Sequence, residues 1–243
     1  MDRLLKSELY KFKRNNTFRV CVLFLVLIVP FSIYVLWKDT DIPLNGAEIL
    51  LSRMGDNIPV VVISIFISTF VAEEFYTGRI RLILPHSESK IRFYLSKLVV
   101  CSIAMVFANI IELGLYSLIA TIGWGFDPNN VFNLPGFIMF IILQIIVLCA
   151  YSSIFVFTAM LTGSYGKSLA INIFILLFAP NILGFIDNIL GTQIYNCWPS
   201  QCSVLAGSFQ IPFSTCIEVF LSSLAVILIT TVLGCKIFSY RDI

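Results

Sequence analysis

AEEFYTGRIRLILPHSESKIRFYLSK, residues 72–97, is the strongly polar island within residues 57–160, and apolar runs long enough to cross a bilayer lie on either side. It reads as a loop that carries a short helix between two spanning ones. Gly78 permits a tight backbone, Pro85 stops the short segment, and Ser87 or Ser89 can cap a new helix running into the next crossing. The apolar set Phe75, Ile80, Leu82, Ile83 and Leu84 is heavy for a loop in water. Rimmed by Glu73, Glu74, Arg79 and Arg81, it has the composition of a contact surface.

Composition explains why the flanks must lie in lipid. The 243 residues are 58% hydrophobic and 12% charged, with a mean hydropathy of +0.94. Soluble domains carry about 25% charge, so one aqueous core cannot hide this much apolar surface. The first apolar run follows a long basic arm and lacks a small-residue cleavage pattern, which predicts a retained helix rather than a removable signal.

Outward from the island, residues 1–19 hold six basic side chains, with Leu5, Leu9 and Phe12 on one helical face. That pattern predicts an interfacial basic helix on an anionic inner leaflet. Residues 20–243 then read as a six-helix transmembrane domain, with apolar runs at 20–37, 58–71, 98–120, 136–162, 168–190 and 216–235. Segment 191–215 is uncharged, too broken by Trp198, Pro199 and Pro212 to span and too apolar for an exposed loop. It is expected to be a re-entrant or interfacial outer element. Fourteen of the sixteen Lys and Arg fall in the candidate inner segments, the island among them, so both termini are expected in the cytoplasm. The fold class expected is an all-α integral membrane protein.

Two constellations resemble catalytic or ligand motifs and fail on their own chemistry. The turn from Gly163 to Ser168, GSYGKS, ends like a phosphate-binding loop, but Leu161 stands where the first glycine is needed and a membrane helix precedes it. Glu73, Glu74 and Arg79 resemble the EExxxR motif of membrane metalloproteases, with one residue too many in the spacing and only His86 as a histidine. The same single histidine leaves no zinc site and no Ser-His-Asp set. Cys21, Cys101, Cys149 and Cys235 sit in apolar runs as small hydrophobes, while Cys197, Cys202 and Cys216 leave an outer disulfide open.

Polar residues inside the apolar runs are costly unless paired or facing water. Asn109 and Glu112 share a helix face, and Gln144 and Asn172 lie deeper in their runs. These four are either bonds between helices or the lining of a substrate path, with Glu112 the foremost candidate for the path.

The run of Glu74, three residues, Gly78, the basic and apolar stretch from Arg79 to Leu84, Pro85, a serine, and Lys97 opening the next crossing resembles the first cytoplasmic loop of ABC-2 type permease subunits. The basic amphipathic start, six crossings and chain length are similar to the branch tied to lantibiotic immunity, bacitracin resistance and peptide export. The resemblance implies a half-transporter: two such bundles, identical or paralogous, joined to two ATP-binding cassette subunits that hold ATP and Mg, with no cofactor on this chain. Glu74, Gly78, Arg79, Arg81, Leu82 and Pro85 would then couple the loop to the ATPase. Membrane lipid and an amphiphilic peptide or antibiotic are the implied partners, with no role for nucleic acid. Two other classes compete. An ATP-independent secondary transporter or channel calls for paired intramembrane charges and inverted repeats, yet no Lys or Arg separates Lys97 from Lys167 or Lys167 from Lys236. A non-transporting immunity protein that sequesters a peptide would need no coupling loop.

Overall fold

The structure, a computed structural model, describes residues 2–39, 57–78, 80, 90–125, 134–207 and 212–240. Among these residues every regular element is a helix: α1 (Asp2–Arg14), α2 (Asn16–Asp39), α3 (Ile58–Tyr76), α4 (Lys90–Trp124), α5 (Leu134–Thr162), α6 (Tyr165–Leu190), α7 (Pro199–Gly207) and α8 (Phe213–Tyr240), with a 3-10 turn, Ile194–Cys197, before α7. Six of them, α2 to α6 and α8, are long and apolar enough to cross a bilayer. The chain is an all-α multi-pass membrane protein.

Its helices outrun the apolar runs that announce them. α3 takes its last turn from the polar island, ending at Tyr76, and α4 starts at Lys90 rather than at residue 98. At 1.5 Å per residue the 35 residues of α4 extend about 52 Å, well past a 30 Å hydrocarbon core. The backbone ladder does not stop at the lipid boundary, because the hydrated headgroup zone accepts Lys, Arg and Glu on a continuing helix. One end of the bundle gathers the inner segments: the Lys90 ammonium donates to the Ser239 carbonyl at the end of α8 (3.1 Å), and the link between α5 and α6 lines a groove with the end of α3. That geometry agrees with the charge count.

α5 lies at the centre and packs against α3, α4, α6, α7 and α8. The spanning stretches of α3 and α5 are 67% buried, against 6% for α6 and 17% for α8. Lipid tails compete with apolar side chains on equal terms, so polar contacts and close fit must define the register. Ser32 meets Tyr116 between α2 and α4 (2.7 Å), Ser102 meets Ser152 between α4 and α5 (2.6 Å), and Thr230 of α8 donates to Ser153 of α5 (2.9 Å). α6 is clasped by its own polar group: Asn172 donates to Ser68 of α3 (3.0 Å) and accepts from Thr158 of α5, and Ser168 donates to Ser68 (3.2 Å). The serine that ends the phosphate-loop-like turn therefore bonds protein.

Beyond α6 the chain reverses. Gly191 takes φ of 65°, a left-handed cap favouring glycine, and its N–H bonds the Asp187 carbonyl at 2.8 Å. The Asp187 carboxylate accepts from the Thr192 hydroxyl (2.6 Å) and from the backbone N–H groups of Ile194 (2.9 Å) and Tyr195 (2.7 Å). α7 then lies on α5 and α8, with Cys202, Ser203 and Ala206 buried. Cys197, Cys202 and Cys216 are separate free thiols.

At Gly234, α4 and α8 approach closely. A Cβ built on Gly234 would stand 2.3 Å from the Tyr94 hydroxyl oxygen and 2.5 Å from the adjoining ring carbon, and Tyr94 is fully buried. Gly234→Ala is expected to destabilise the protein by about 1–3 kcal/mol, read as a lower melting temperature in detergent; an unchanged melt would show that the ring has room to move.

Candidate functional site

Four charged side chains meet at the end of the bundle where α1 lies and α8 ends. α1 contributes Glu8 and Lys11, the last turns of α3 contribute Glu74, and α4 contributes Lys97. Glu8 stands on the same face as Leu5, Leu9 and Phe12, and that apolar stripe packs on the bundle core. A carboxylate on the stripe demands a partner, and the partner is in the protein. Lys6, Lys13 and Arg14 remain exposed for the headgroups.

The contacts close into a ring. Lys11 Nζ lies 2.6 Å from Glu8 Oε1 and 2.7 Å from Glu74 Oε1; Lys97 Nζ lies 2.7 Å from Glu8 Oε2 and 3.0 Å from Glu74 Oε1. Glu8, Glu74 and Lys97 are buried, while Lys11 is part exposed. The Lys97 ammonium also rests over the Phe70 ring, 4.0 Å from its centroid. Two acids and two bases leave the ring neutral, the condition under which buried charge is tolerated. Burial on its own raises the carboxyl pKa of Glu8, but the Lys97 charge and the Lys11 hydrogen bond outweigh it and hold the group below its ordinary value. For Lys11, burial lowers the pKa and the hydrogen bonds it donates to Glu74 and Glu8 more than restore it, leaving the amine above its ordinary value.

The ring ties α1 to the two helices that enter and leave residues 79–89. A cavity of about 540 Å³ opens beside it, lined by Tyr10, Arg14 and Glu73 as well as ring members. On the other side of Glu73 lies a groove of about 550 Å³, floored by Thr69, Ala72 and Tyr76 and walled by residues 163–166. Glu73 is exposed and faces both.

Of the residues singled out in the loop, Glu74 points inward to the ring, and Gly78 ends α3 with φ of 68°, a conformation that suits glycine. Arg79, Arg81, Leu82 and Pro85 lie outside the described residues; Ile80, between them, is buried in the main core. The four intramembrane polar residues separate into different settings. Asn109 and Gln144 line one crevice between α4 and α5, Asn172 belongs to the clasp on α6, and Glu112 is buried on α4. Glu8 is the site residue that composition overlooks, although an acid between Leu5, Leu9 and Phe12 is itself the signal.

Removing one member of the ring leaves an uncompensated buried charge. Lys97→Met is expected to cost about 3–5 kcal/mol, and adding Glu8→Gln is expected to recover part of it, as measured by melting of single and double variants. The pH dependence has two edges. Glu8 contributes stability above its unfolded pKa near 4.5 and loses it as pH falls through the lower folded value; Lys11 contributes below 10.5 and loses it as pH rises through the higher folded value. A melting profile flat between these edges is expected to steepen outside them, and less so in the double variant.

The family described as ABC-2 family transporter protein has a sequence model that matches residues 4–179, from α1 into α6. No curated protein gives a significant match to the chain.

Proposed function

Since the chain belongs to the ABC-2 family of transporter proteins, it is a membrane permease subunit that works with an ATP-binding cassette subunit, and we propose that it exports an amphiphilic peptide or lipid-like antibiotic through movements driven at residues 72–97. In bacteria its place is the plasma membrane. ATP and Mg are held by the partner, and a second bundle, identical or paralogous, completes the transporter.

The ring of Glu8, Lys11, Glu74 and Lys97 carries this reading. A push on residues 79–89 arrives at α3 and α4 together, and the ring passes it to α1 at the headgroups. Three elements then move as one, because separating them exposes buried charge. Arg79, Arg81, Leu82 and Pro85 are the proposed contacts to the ATPase. Gly78 sets the angle at which that segment leaves α3, and Glu74 supports it from behind. Exposed Glu73 and the flanking groove give the partner a further foothold. The antibiotic-related cargo is supported by the resemblance to the immunity and peptide-export branch. Export is favoured over an ion-coupled route by the absence of Lys and Arg through the long central stretches.

The test is co-purification and reconstitution with an ATP-binding cassette subunit, sought first in the reading frames adjacent to that of this chain. Arg79→Glu with Arg81→Glu is expected to lower cargo-stimulated ATP hydrolysis at least tenfold while the protein stays in the membrane at normal abundance. Transport and stimulation that survive the double reversal would refute the coupling role; full activity without any ATPase would favour the ion-coupled alternative.

A further inference from the structure

Between α4 and α5, away from the charged ring, lies a crevice of about 280 Å³. Its walls include Leu113, Phe137, Phe140 and Leu148, and its rim includes Ile110 and Ile141, which are 59% and 40% exposed on the outer surface of the bundle. The crevice therefore opens sideways, on the flank of two spanning helices. Two amides stand in it. Gln144 is closed off by a reciprocal pair of hydrogen bonds with Ser203 of α7, at 3.1 and 3.2 Å. Asn109 is 5% exposed and makes no hydrogen bond among the described residues.

An amide left without a partner in hydrocarbon is unfavourable, and its depth restricts what can satisfy it. Asn109 is twelve residues beyond Lys97 on α4, about 18 Å along the axis. With Lys97 at the inner boundary of a 30 Å core, Asn109 falls close to the midplane. Membrane phospholipids present only hydrocarbon there. The volume corresponds to roughly nine waters and is below the usual range for a whole drug-sized ligand, so it suits one chain or a pair of side chains. The Asn amide both donates and accepts, the complement of a peptide group.

We propose that this crevice binds the apolar part of a membrane-embedded amphiphile that carries an amide, and that Asn109 recognises that amide. The proposal rests on the transporter reading only in treating the amphiphile as cargo. Binding itself needs no ATPase, which separates the two tests.

The experiment uses the full chain in phospholipid nanodiscs with three photoactivatable diazirine probes: a dodecanoyl N-alkylamide, an alkane of equal length, and a phospholipid labelled in its acyl chain. The amide probe is expected to label peptides covering 106–113 and 137–148 about tenfold more than it labels the lipid face of α6. Excess unlabelled amide should compete, and Asn109→Leu should bring labelling down to that of the alkane. Leu113→Trp, which fills the crevice, should give the same loss if Asn109→Leu is not recovered folded. Equal labelling by all three probes would mean that ordinary lipid fills the crevice and would overturn the proposal, as would amide labelling unchanged in either variant. Failure here alongside a successful Arg79 and Arg81 test would remove the amphiphile site and leave the permease reading standing.

Discussion

The end of the bundle that α1 closes depends on one constraint: Lys97, wholly buried on α4, must be neutralised where it stands. Two carboxylates do so, and they come from different elements, Glu8 on α1 and Glu74 on α3. An isolated buried ammonium would unfold its surroundings or shed its proton. The sequence therefore had to bring three helices to one point, and in doing so made a junction next to the loop that resembles a family's coupling element. Lys11 closes the arrangement at the water-facing side and keeps the second negative charge from going unmatched.

The membrane half follows a different rule. With lipid surrounding the bundle, apolar burial does little to choose one helix neighbour over another, and the choice falls to small hydroxyl residues and close fits. Ser68, Ser168, Thr158 and Asn172 show this most directly, because they attach α6, the least buried crossing, to the two most buried ones. Gly234 does the same through shape, by letting the Tyr94 ring lie against the backbone of α8.

How far these features are legible in the sequence depends on the length scale of the signal. Six crossings follow from the apolar runs, a signal that integrates over many residues. Helix ends were less legible, since α3 and α4 continue into polar residues that hydropathy assigns to a loop. The inward direction of Glu74 was hidden for the same reason: once α3 is known to reach Tyr76, Glu74 falls one turn beyond Phe70 on its buried face. Glu112 and Asn109 look equivalent in sequence, being three residues apart, yet of the two only Asn109 lines the crevice between α4 and α5. Pairing across helices decides such cases, and a single chain of letters does not contain it.

The central placement of α5 has a further consequence. Because α5 packs at once against α3, α4, α6, α7 and α8, and its spanning stretch is far more buried than those of α6 and α8, a change of side-chain volume along it is felt by several neighbouring helices together rather than by one pair.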